Sequence, residues 1–542
     1  MEQASERAHA GRDELTPAAL AEPGEVRGPS ADGASGTSKR GLVLAGVMCC
    51  VFLAAMESTV VATAMPTVVA SLGGIRIYSW VFSAYLLTST VTMPMWGRLS
   101  DQFGRRRTYL AGLVLFLIGS ALAGLSQSMG QLILFRAVQG LGAGSLITLG
   151  ITIIGELYEL EKRAKVQGYF SSVWGLASLI GPLLGGLMVD RVSWRWVFYV
   201  NVPLGLLALA AIAAGLRDEA RPTRKVPIDY TGMVLFTTAV TALLVALLEA
   251  GRGDTWGRVP ALLAAAVACT VLFVFVERHT PGAMVPLRLF RRPMVRAAGA
   301  TGFLAGMAMF GAVTFIPLFV QAVSGASATE AGFVLTPFVL GWVACSILGA
   351  RLVLRVGYRR VVIAGMVILL LGFLRFSAWD ASLTPLGAAR DITLAGVGMG
   401  LVFVPMLIAV QSAVPRALLG AATSMTTFFR TIGGAVGVGV MGAIMALRLQ
   451  TELDGVLRAA PPALRESLRA VVEHPDLVVN PMTRGALGPE ILTQMRPALA
   501  EAIGGVFVVG LAICVAALLA AFLVPGGQAR DLAETEPTPP PA

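Results

Sequence analysis

The chain has 542 residues, of which 56% are hydrophobic and 14% are charged, and its mean hydropathy is +0.75. Soluble globular proteins carry about 25% charged residues, so this composition excludes a cytosolic enzyme, a disordered protein and a disulfide-stapled secreted domain. The net charge of +10 lies in short clusters between apolar runs, which argues against a nucleic-acid-binding surface. The apolar runs are long and continuous, unlike the ~10-residue alternating strands of a porin. A polytopic helical membrane protein is therefore predicted.

A helix that crosses ~30 Å of hydrocarbon needs about 20 mainly apolar residues. Fourteen runs meet this requirement, and they predict spans 1 to 14 at residues 41–63, 78–98, 108–127, 131–154, 166–189, 196–216, 230–249, 259–276, 297–321, 330–350, 361–379, 387–410, 418–446 and 499–524.

The spans and their connections predict five parts of the chain. Two polar tails, residues 1–40 and 525–542, are expected to be disordered and cytoplasmic. Between them we predict a six-helix bundle at 41–216, two inserted helices with linkers at 217–296, and a second six-helix bundle at 297–524. The second bundle includes a long outer loop at 447–498, where an amphipathic stretch at 463–474 predicts a short surface helix.

Basic residues in the short loops give the orientation, because they concentrate on the cytoplasmic side of a membrane. With the N-terminus inside, the inner loops hold 21 lysines and arginines and the short outer loops hold 6. Both termini are therefore predicted to be cytoplasmic.

The loop after span 2 is repeated after span 10. Residues 97–107 and 350–360 share five of eleven positions, namely the pairs Arg98/Arg351, Leu99/Leu352, Gly104/Gly357, Arg106/Arg359 and Arg107/Arg360. The repeat makes spans 1–6 equivalent to spans 9–14. Two related six-helix halves with a site between them are typical of a secondary transporter.

Five segments now support a family resemblance. They are residues 56–66 in span 1, 97–107 in the loop after span 2, 134–144 in span 4, 177–186 in span 5, and 193–203 at the start of span 6. In this order and at these spans, the chain resembles the major facilitator superfamily, in particular its drug:proton antiporters with fourteen spans. Two positions depart from the family pattern: Glu57 stands where aspartate is usual, and Ala177 where glycine is usual.

The resemblance implies an all-α polytopic membrane protein with the major facilitator fold, in which two six-helix bundles flank two extra central helices. We further expect a monomeric, multi-pass protein of the bacterial cytoplasmic (inner) membrane. The expected partners are an amphipathic small molecule, protons and the lipid bilayer, with no nucleic acid. No cofactor or metal is expected, because the proton gradient would supply the energy.

Charges at membrane depth are functional candidates, because burying them is costly. Glu57 is the one acidic residue well inside a span, and Arg136 in span 4 lies at the same level, with both roughly 8–9 Å below the outer edge at ~1.5 Å per residue. Burial and a neighbouring arginine act in opposite directions on the proton affinity of a carboxyl group. We expect Glu57 to bind the coupling proton and Arg136 to modulate its affinity, and the alternative is a structural ion pair.

Two further motifs take their expected roles from the resemblance. In the loop after span 2, Asp101 is expected to engage a helix N-terminus and latch the outward-facing state, with Arg105 and Arg106 pairing with acids or lipid phosphates; the alternative is an ordinary basic inner loop. In span 5 an antiporter seal is implied by Gly181, Pro182, Gly185 and Gly186, and the alternative is a glycine-rich helix contact. The loop motif also includes Gly97 and Gly104.

A substrate cavity would be lined from spans 1, 2, 4 and 5 and their repeats. Aromatic, methionine and polar side chains there suit bulky amphipathic ligands, and the candidates are Tyr85, Gln139, Trp174, Phe315, Gln321, Met425, Phe428, Phe429 and Arg430. For each of them a core or lipid-facing position is an equal alternative, except for Arg430, because a charge in mid-span should not face lipid.

Proton-driven export of drugs or antibiotics is the function that these patterns favour. A proton-coupled symporter that imports a small solute has the same fold, but the Gly181-Pro182 motif favours export. An enzyme is disfavoured because the sequence contains no His-Glu-x-x-His, Gly-x-Ser-x-Gly or phosphate-binding motif.

Overall fold

The computed structural model describes residues 35–72, 80–217, 229–250, 257–280, 285, 287–324, 334–415, 418–459, 465, 469 and 488–526. Within these ranges the chain is helical and contains no strand. Its helices, which we number in chain order, are α1 (Ser35–Leu72), α2 (Trp80–Phe103), α3 (Arg105–Gly124), α4 (Met129–Leu157), α5 (Leu160–Arg191), α6 (Trp196–Tyr199), α7 (Asn201–Gly215), α8 (Tyr230–Ala250), α9 (Val259–His279), α10 (Pro293–Ser324), α11 (Thr336–Val356), α12 (Tyr358–Phe376), α13 (Pro385–Ser412), α14 (Leu419–Ala459) and α15 (Pro489–Ala521).

Each predicted span falls on a helix, with span 6 formed by α6 and α7 together. In the described part of the chain, eleven helical segments are long and apolar enough to cross a membrane on composition alone. The other three predicted spans lie in α2, α5 and α12. Helix α2 is rich in serine and threonine, which lower its hydropathy, and α12 is apolar but carries three arginines among its 19 residues.

Several helices are longer than the apolar runs that predict them. Helix α14 continues to Ala459 and α15 begins at Pro489, so both ends of the predicted outer loop 447–498 are helical. Of the predicted surface helix at 463–474 only Arg465 and Arg469 are described, both as helical. Helix α1 begins at Ser35 inside the predicted tail, whereas residues 1–34 and 527–542 lie outside the described ranges.

Apolar packing divides the helices into two halves. One large cluster holds buried residues between Leu289 and Val524, and two smaller clusters hold those between Val43 and Leu216. A fourth cluster joins α8 and α9 to α2 and α14 through Phe236, Phe273 and Phe428. The inserted helices therefore pack against the seam between the halves.

The repeated loop has the same backbone conformation in both copies. Gly104 and Gly357 have φ of 93° and 84°, with ψ of 155° and 164°. L-residues with a side chain rarely adopt this region. Each glycine is the single residue between two consecutive helices. The sharp turn on the inner side of each half therefore depends on its glycine.

We therefore expect Gly357→Ala to lower the free energy of unfolding by about 1–3 kcal/mol, the usual cost of such a conformation. Thermal unfolding in detergent measures the change. Gly302→Ala is the matched control, because a Cβ there meets no atom within 4 Å and the backbone is helical. Equal melting temperatures for the two variants would contradict the strain argument.

Candidate functional site

The charged pair anticipated from membrane depth forms a direct contact. Arg136 on α4 donates from Nη1 to Oε1 of Glu57 on α1, and each residue retains 1% of its exposure. The same Nη1 lies 2.7 Å from Oε1 of Gln139, one turn along α4. The Nε of Arg136 donates to the carbonyl of Val81 on α2, over 3.2 Å. A buried charge of each sign is thus neutralised and hydrogen-bonded, as a dry site requires.

Asn201, which the sequence analysis did not select, completes this site. Its Nδ2 donates to Oε2 of Glu57 over 2.6 Å and to Oγ of Ser120 over 2.9 Å. Ser120 on α3 in turn donates to the carbonyl of Phe198. Asn201 lies five residues into span 6, at the depth already assigned to Glu57 and Arg136, so the same depth arithmetic, extended from charged residues to neutral amides, would have selected it.

Aromatic rings cover the arginine of this site. The guanidinium carbon of Arg136 lies 4.2 Å from the ring centroid of Tyr85 and 5.9 Å from that of Phe198. The face of an aromatic ring attracts a cation, and the attraction is stronger where water is excluded. Both side chains of the pair are thus closed off from water in this conformation.

Glycines on the same helix allow α2 to approach α4 closely. A Cβ on Gly140 would lie 2.0 Å from Oγ1 of Thr88, and one on Gly144 would lie 2.4 Å from Oγ1 of Thr92. Both distances are too short for a real carbon. The two glycines therefore serve packing, which holds Tyr85 and Val81 against Arg136.

The turn from α2 to α3, with the helix ends on either side of it, joins the two halves on the inner side. Asp101 accepts hydrogen bonds from the backbone N–H groups of Gly420, over 3.3 Å, and Ala421, over 2.9 Å, in the first turn of α14. A carboxylate is stabilised at a helix N-terminus by the helix dipole. Asp101 also pairs with Arg105 over 2.6 Å, and Arg105 pairs with Glu156 at the end of α4 over 2.7 Å.

The other residues of this motif have distinct contacts. Arg106 donates to the carbonyl of Ala213 near the end of α7, over 2.8 Å. A Cβ on Gly97 would lie 2.3 Å from Oγ of Ser424, so α2 and α14 touch at this level. Leu354 occupies the position of Asp101 in the repeat, so the second copy has no carboxylate to offer a helix N-terminus.

A buried amide pair forms a second inner contact between the halves. Gln167 on α5 donates from Nε2 to Oε1 of Gln411 on α13 over 2.8 Å, and Gln411 donates to Oγ1 of Thr423 on α14 over 3.2 Å. All three side chains are buried. Together with the Asp101 contact, this pair holds the inner ends of the halves together, so the structure is closed on the inner side.

The segment of span 5 that resembles the antiporter motif lies within one continuous helix. Gly181 and Gly185 are buried, whereas a Cβ on Gly186 would meet no atom within 4 Å. The backbone of Pro182 is helical, and its side chain lies outside the described atoms. Nearby Ala177 belongs to a cluster with Met56 and Val60 of α1, so this half of α5 packs on the helix that carries Glu57.

The nine cavity candidates fall in different places. Tyr85 and Gln139 belong to the Arg136 site, Trp174 is half-buried on α5, and Phe315 lies in the core of the second half. The side chain of Gln321 lies outside the described atoms.

The three neighbours of Arg430 face the inserted helices. Met425 and Phe428 pack in the cluster with α8 and α9, and the Phe428 ring lies 5.1 Å from that of Phe236. Phe429 stacks edge-on with Phe290 at 5.9 Å. Their surroundings thus favour packing, while Arg430 lies half-buried beside Phe403.

Another buried acid lies near the outer end of the second half. Asp391 on α13 retains 1% side-chain exposure and accepts from Arg390 and Arg375, at 2.9 Å and 3.3 Å, and from Trp379 Nε1 at 3.1 Å. Both arginines are more than half exposed. Over the described ranges no group of three or more histidine, cysteine, aspartate or glutamate side chains could hold a metal ion.

The sequence matches the Major Facilitator Superfamily profile over residues 47–438. It is 35% identical over 524 residues to "Multidrug transporter protein MdtP" of Bacillus subtilis (strain 168), covering 92% of this chain and 96% of that protein. It is 33% identical over 499 residues to "Multidrug resistance protein 3" of the same organism, covering 92% and 97%. "Efflux pump dotC" of Dothistroma septosporum is 32% identical, with 89% of this chain and 83% of that protein covered.

Solved structures share the fold at low sequence identity. The human organic anion transporter MFSD10 (TETRAN) superposes with a TM-score of 0.57 at 16% identity, covering 88% of this chain and 99% of that one. The proton:xylose symporter XylE gives a TM-score of 0.56 at 13% identity, covering 91% and 98%. At these identities the likeness concerns the fold alone.

The contact between Asn201 and Glu57 generates a prediction for a double-mutant cycle. Asn201→Ala should lower the free energy of unfolding by about 1–3 kcal/mol, because it leaves a buried carboxylate oxygen without its donor. The loss should shrink by at least about 0.5 kcal/mol when Glu57→Gln is already present. Thermal unfolding in detergent measures all four proteins. Ser89→Ala, whose hydroxyl bonds only within α2, is the control, and strict additivity would refute the coupling.

The contact of Asp101 with α14 predicts how readily a reagent in solution reaches the interface between the two halves from the inner side. Asp101→Asn should speed labelling of a Thr427→Cys reporter by an impermeant maleimide about 2- to 30-fold, because a carboxylate at a helix N-terminus contributes about 0.3–2 kcal/mol. The measurement uses inverted vesicles and a background without the five native cysteines. Leu354→Asn, at the equivalent position of the repeat, should leave the rate unchanged. An unchanged rate in Asp101→Asn would show that the contact does not hold the seam closed.

Proposed function

Since this chain belongs to the major facilitator superfamily and is a multi-pass membrane transporter with multidrug transporters among its relatives, we propose that it exports amphipathic drugs or antibiotics by proton-driven antiport. The observation that carries this proposal is the carboxyl group of Glu57, fully buried against Arg136 and Asn201. In the proposal the protein acts in a bacterial cytoplasmic membrane, as a monomer and without a cofactor.

Proton binding at Glu57 would change the balance of charge inside the first half. The ionised carboxylate neutralises Arg136, whereas the protonated group leaves the arginine as an unpaired cation at membrane depth. Arg136 keeps its contacts with Gln139 and the Val81 carbonyl in either state. Protonation would therefore weaken the tie between α1 and α4 without removing the arginine from its place.

Alternating access would connect this change to transport. The halves are held at their inner ends by the contact of Asp101 on α2 with the first turn of α14 and by the Gln167–Gln411 amide pair. Rocking of the two bundles would break these contacts and open the inner side. Helix α5 packs on α1 beside Glu57 and on α11 of the other half. A shift of α1 on protonation of the carboxyl group would therefore be transmitted through α5 to the interface between the halves.

Import by proton symport is the second candidate function. The fold itself does not decide the direction, because XylE, which shares it, is described as a proton:xylose symporter. Export is favoured by the resemblance of residues 177–186 to the antiporter motif and by relatives that are named as multidrug transporters and efflux pumps.

Transport in inverted vesicles under an imposed pH gradient tests the function with a panel of dyes and antibiotics. The wild-type protein should accumulate a panel compound, and an uncoupler should abolish the accumulation. Glu57→Gln should reduce gradient-driven accumulation to the uncoupled level, because glutamine cannot exchange a proton. Asp391→Asn is the matched control, since this buried acid is paired near the outer end of the other half. Full proton-driven transport by Glu57→Gln would refute the coupling role.

A further inference from the structure

Arg430 places a positive charge near the middle of the membrane. It lies eleven residues into α14, which begins at Leu419 on the inner side. At ~1.5 Å per residue this is about 16 Å from the inner end of the helix, roughly half the ~30 Å hydrocarbon thickness. An arginine at this depth needs a compensating group or a polar space to face.

The described surroundings of Arg430 supply no negative charge. Its guanidinium carbon lies 5.2 Å from the ring centroid of Phe403 on α13, and its buried Nε has no hydrogen-bond partner among the described residues. Within the same residues no acidic side chain forms an ion pair with it. Arg136 and Arg105, by contrast, each contact a carboxylate.

Helix periodicity directs Arg430 toward the seam between the halves. Thr423, Thr427 and Arg430 are spaced by four and three residues, so they share one face of α14. Thr423 contacts Gln411, which accepts a hydrogen bond from Gln167 of the first half. Arg430 therefore lies about 10 Å outward from the closed inner contact, by the ~1.5 Å helical rise.

A second donor without an acceptor lies on the neighbouring helix. The buried Nε1 of Trp342 on α11 also has no partner among the described residues. Trp342 packs against α13 at Gly400, where a Cβ would lie 2.5 Å from the Trp342 carbonyl oxygen. Gly400 and Phe403 are three residues apart, so they lie on one side of α13. Two unpartnered donors thus lie on helices that contact this part of α13, Arg430 on α14 and Trp342 on α11.

We propose that Arg430 binds an anionic group, of the carboxylate class, on the exported compound, and that Phe403 packs against its apolar body. Arginine binds carboxylates through paired N–H donors, and these contacts are strong in a dry site. The inference rests on the proposed exporter function and deepens it: substrates would be amphipathic acids, bound in the second half, while the proton-binding carboxyl group lies in the first.

Equilibrium binding tests the inference without a proton gradient. The probes are 1-pyrenebutyrate and its methyl ester, which differ in charge but share the apolar body, titrated into purified protein in nanodiscs by fluorescence. The wild type should bind the acid at least 10-fold more tightly than the ester. Arg430→Gln should weaken binding of the acid at least 10-fold and leave the ester unchanged, and Arg430→Lys should recover part of the preference.

The controls separate this inference from the function it rests on. Arg355→Gln removes an exposed arginine at the inner end of α11 and should keep the preference for the acid. Unchanged binding of the ester by Arg430→Gln shows that this variant is folded. Failure of the wild type to prefer the acid, or a preference retained by Arg430→Gln, overturns the role of Arg430 whatever the vesicle assays show. Absence of gradient-driven transport with the preference intact would instead overturn only the exporter proposal.

Discussion

The ion pair between Glu57 and Arg136 is the constraint around which the first half is built. Neither charge could remain at membrane depth alone, because removing one partner of a buried pair leaves an uncompensated charge. The pair therefore requires donors and acceptors from several helices, and Asn201, Gln139 and the Val81 carbonyl provide them. The close approach of α2 to α4 that Gly140 and Gly144 permit follows from the same need, because it delivers Val81 and Tyr85 to the arginine.

The two halves share a backbone plan but distribute charge differently. Gly104 and Gly357 shape the same turn in each, yet among the described residues a buried pair deep in a span and an acid at a partner helix occur in the first half alone. In the described part of the second half no carboxylate pairs with Arg430, and the buried acid Asp391 is neutralised near the outer end. In our proposals, duplication produced the two helical bundles that move against each other. Their later divergence placed proton coupling in the first half and substrate recognition in the second.

Much of this arrangement could be predicted from the sequence, because a membrane makes hydrophobicity and charge unusually informative. The apolar runs predict the positions of helices at all fourteen expected spans, of which eleven, within the described ranges, are long and apolar enough to cross a membrane, and the contact of Glu57 with Arg136 follows from their equal depth. Asn201 was missed because burying a neutral amide costs less free energy than burying a charge, so its position in a span did not mark it as a functional candidate. The placement of Met425 and Phe428 against α8 and α9 could not be predicted, because an apolar side chain fits lipid, core and cavity equally well. The helical extensions of α14 and α15 were missed because polar residues continue a helix without an apolar run.

The presence of Asp101 in only one of the two repeated loops bears on the speed of the transport cycle. A symmetric protein with an acid at both positions would hold its inner ends through two charge–dipole contacts, and opening would have to disrupt both. Leu354 removes the second contact, so the barrier to opening is smaller by the contribution of one such interaction, about 0.3–2 kcal/mol. Loss of symmetry at this one position would thus shorten the time that the protein spends closed on its inner side. The free energy released when a small molecule binds would then be enough to open it.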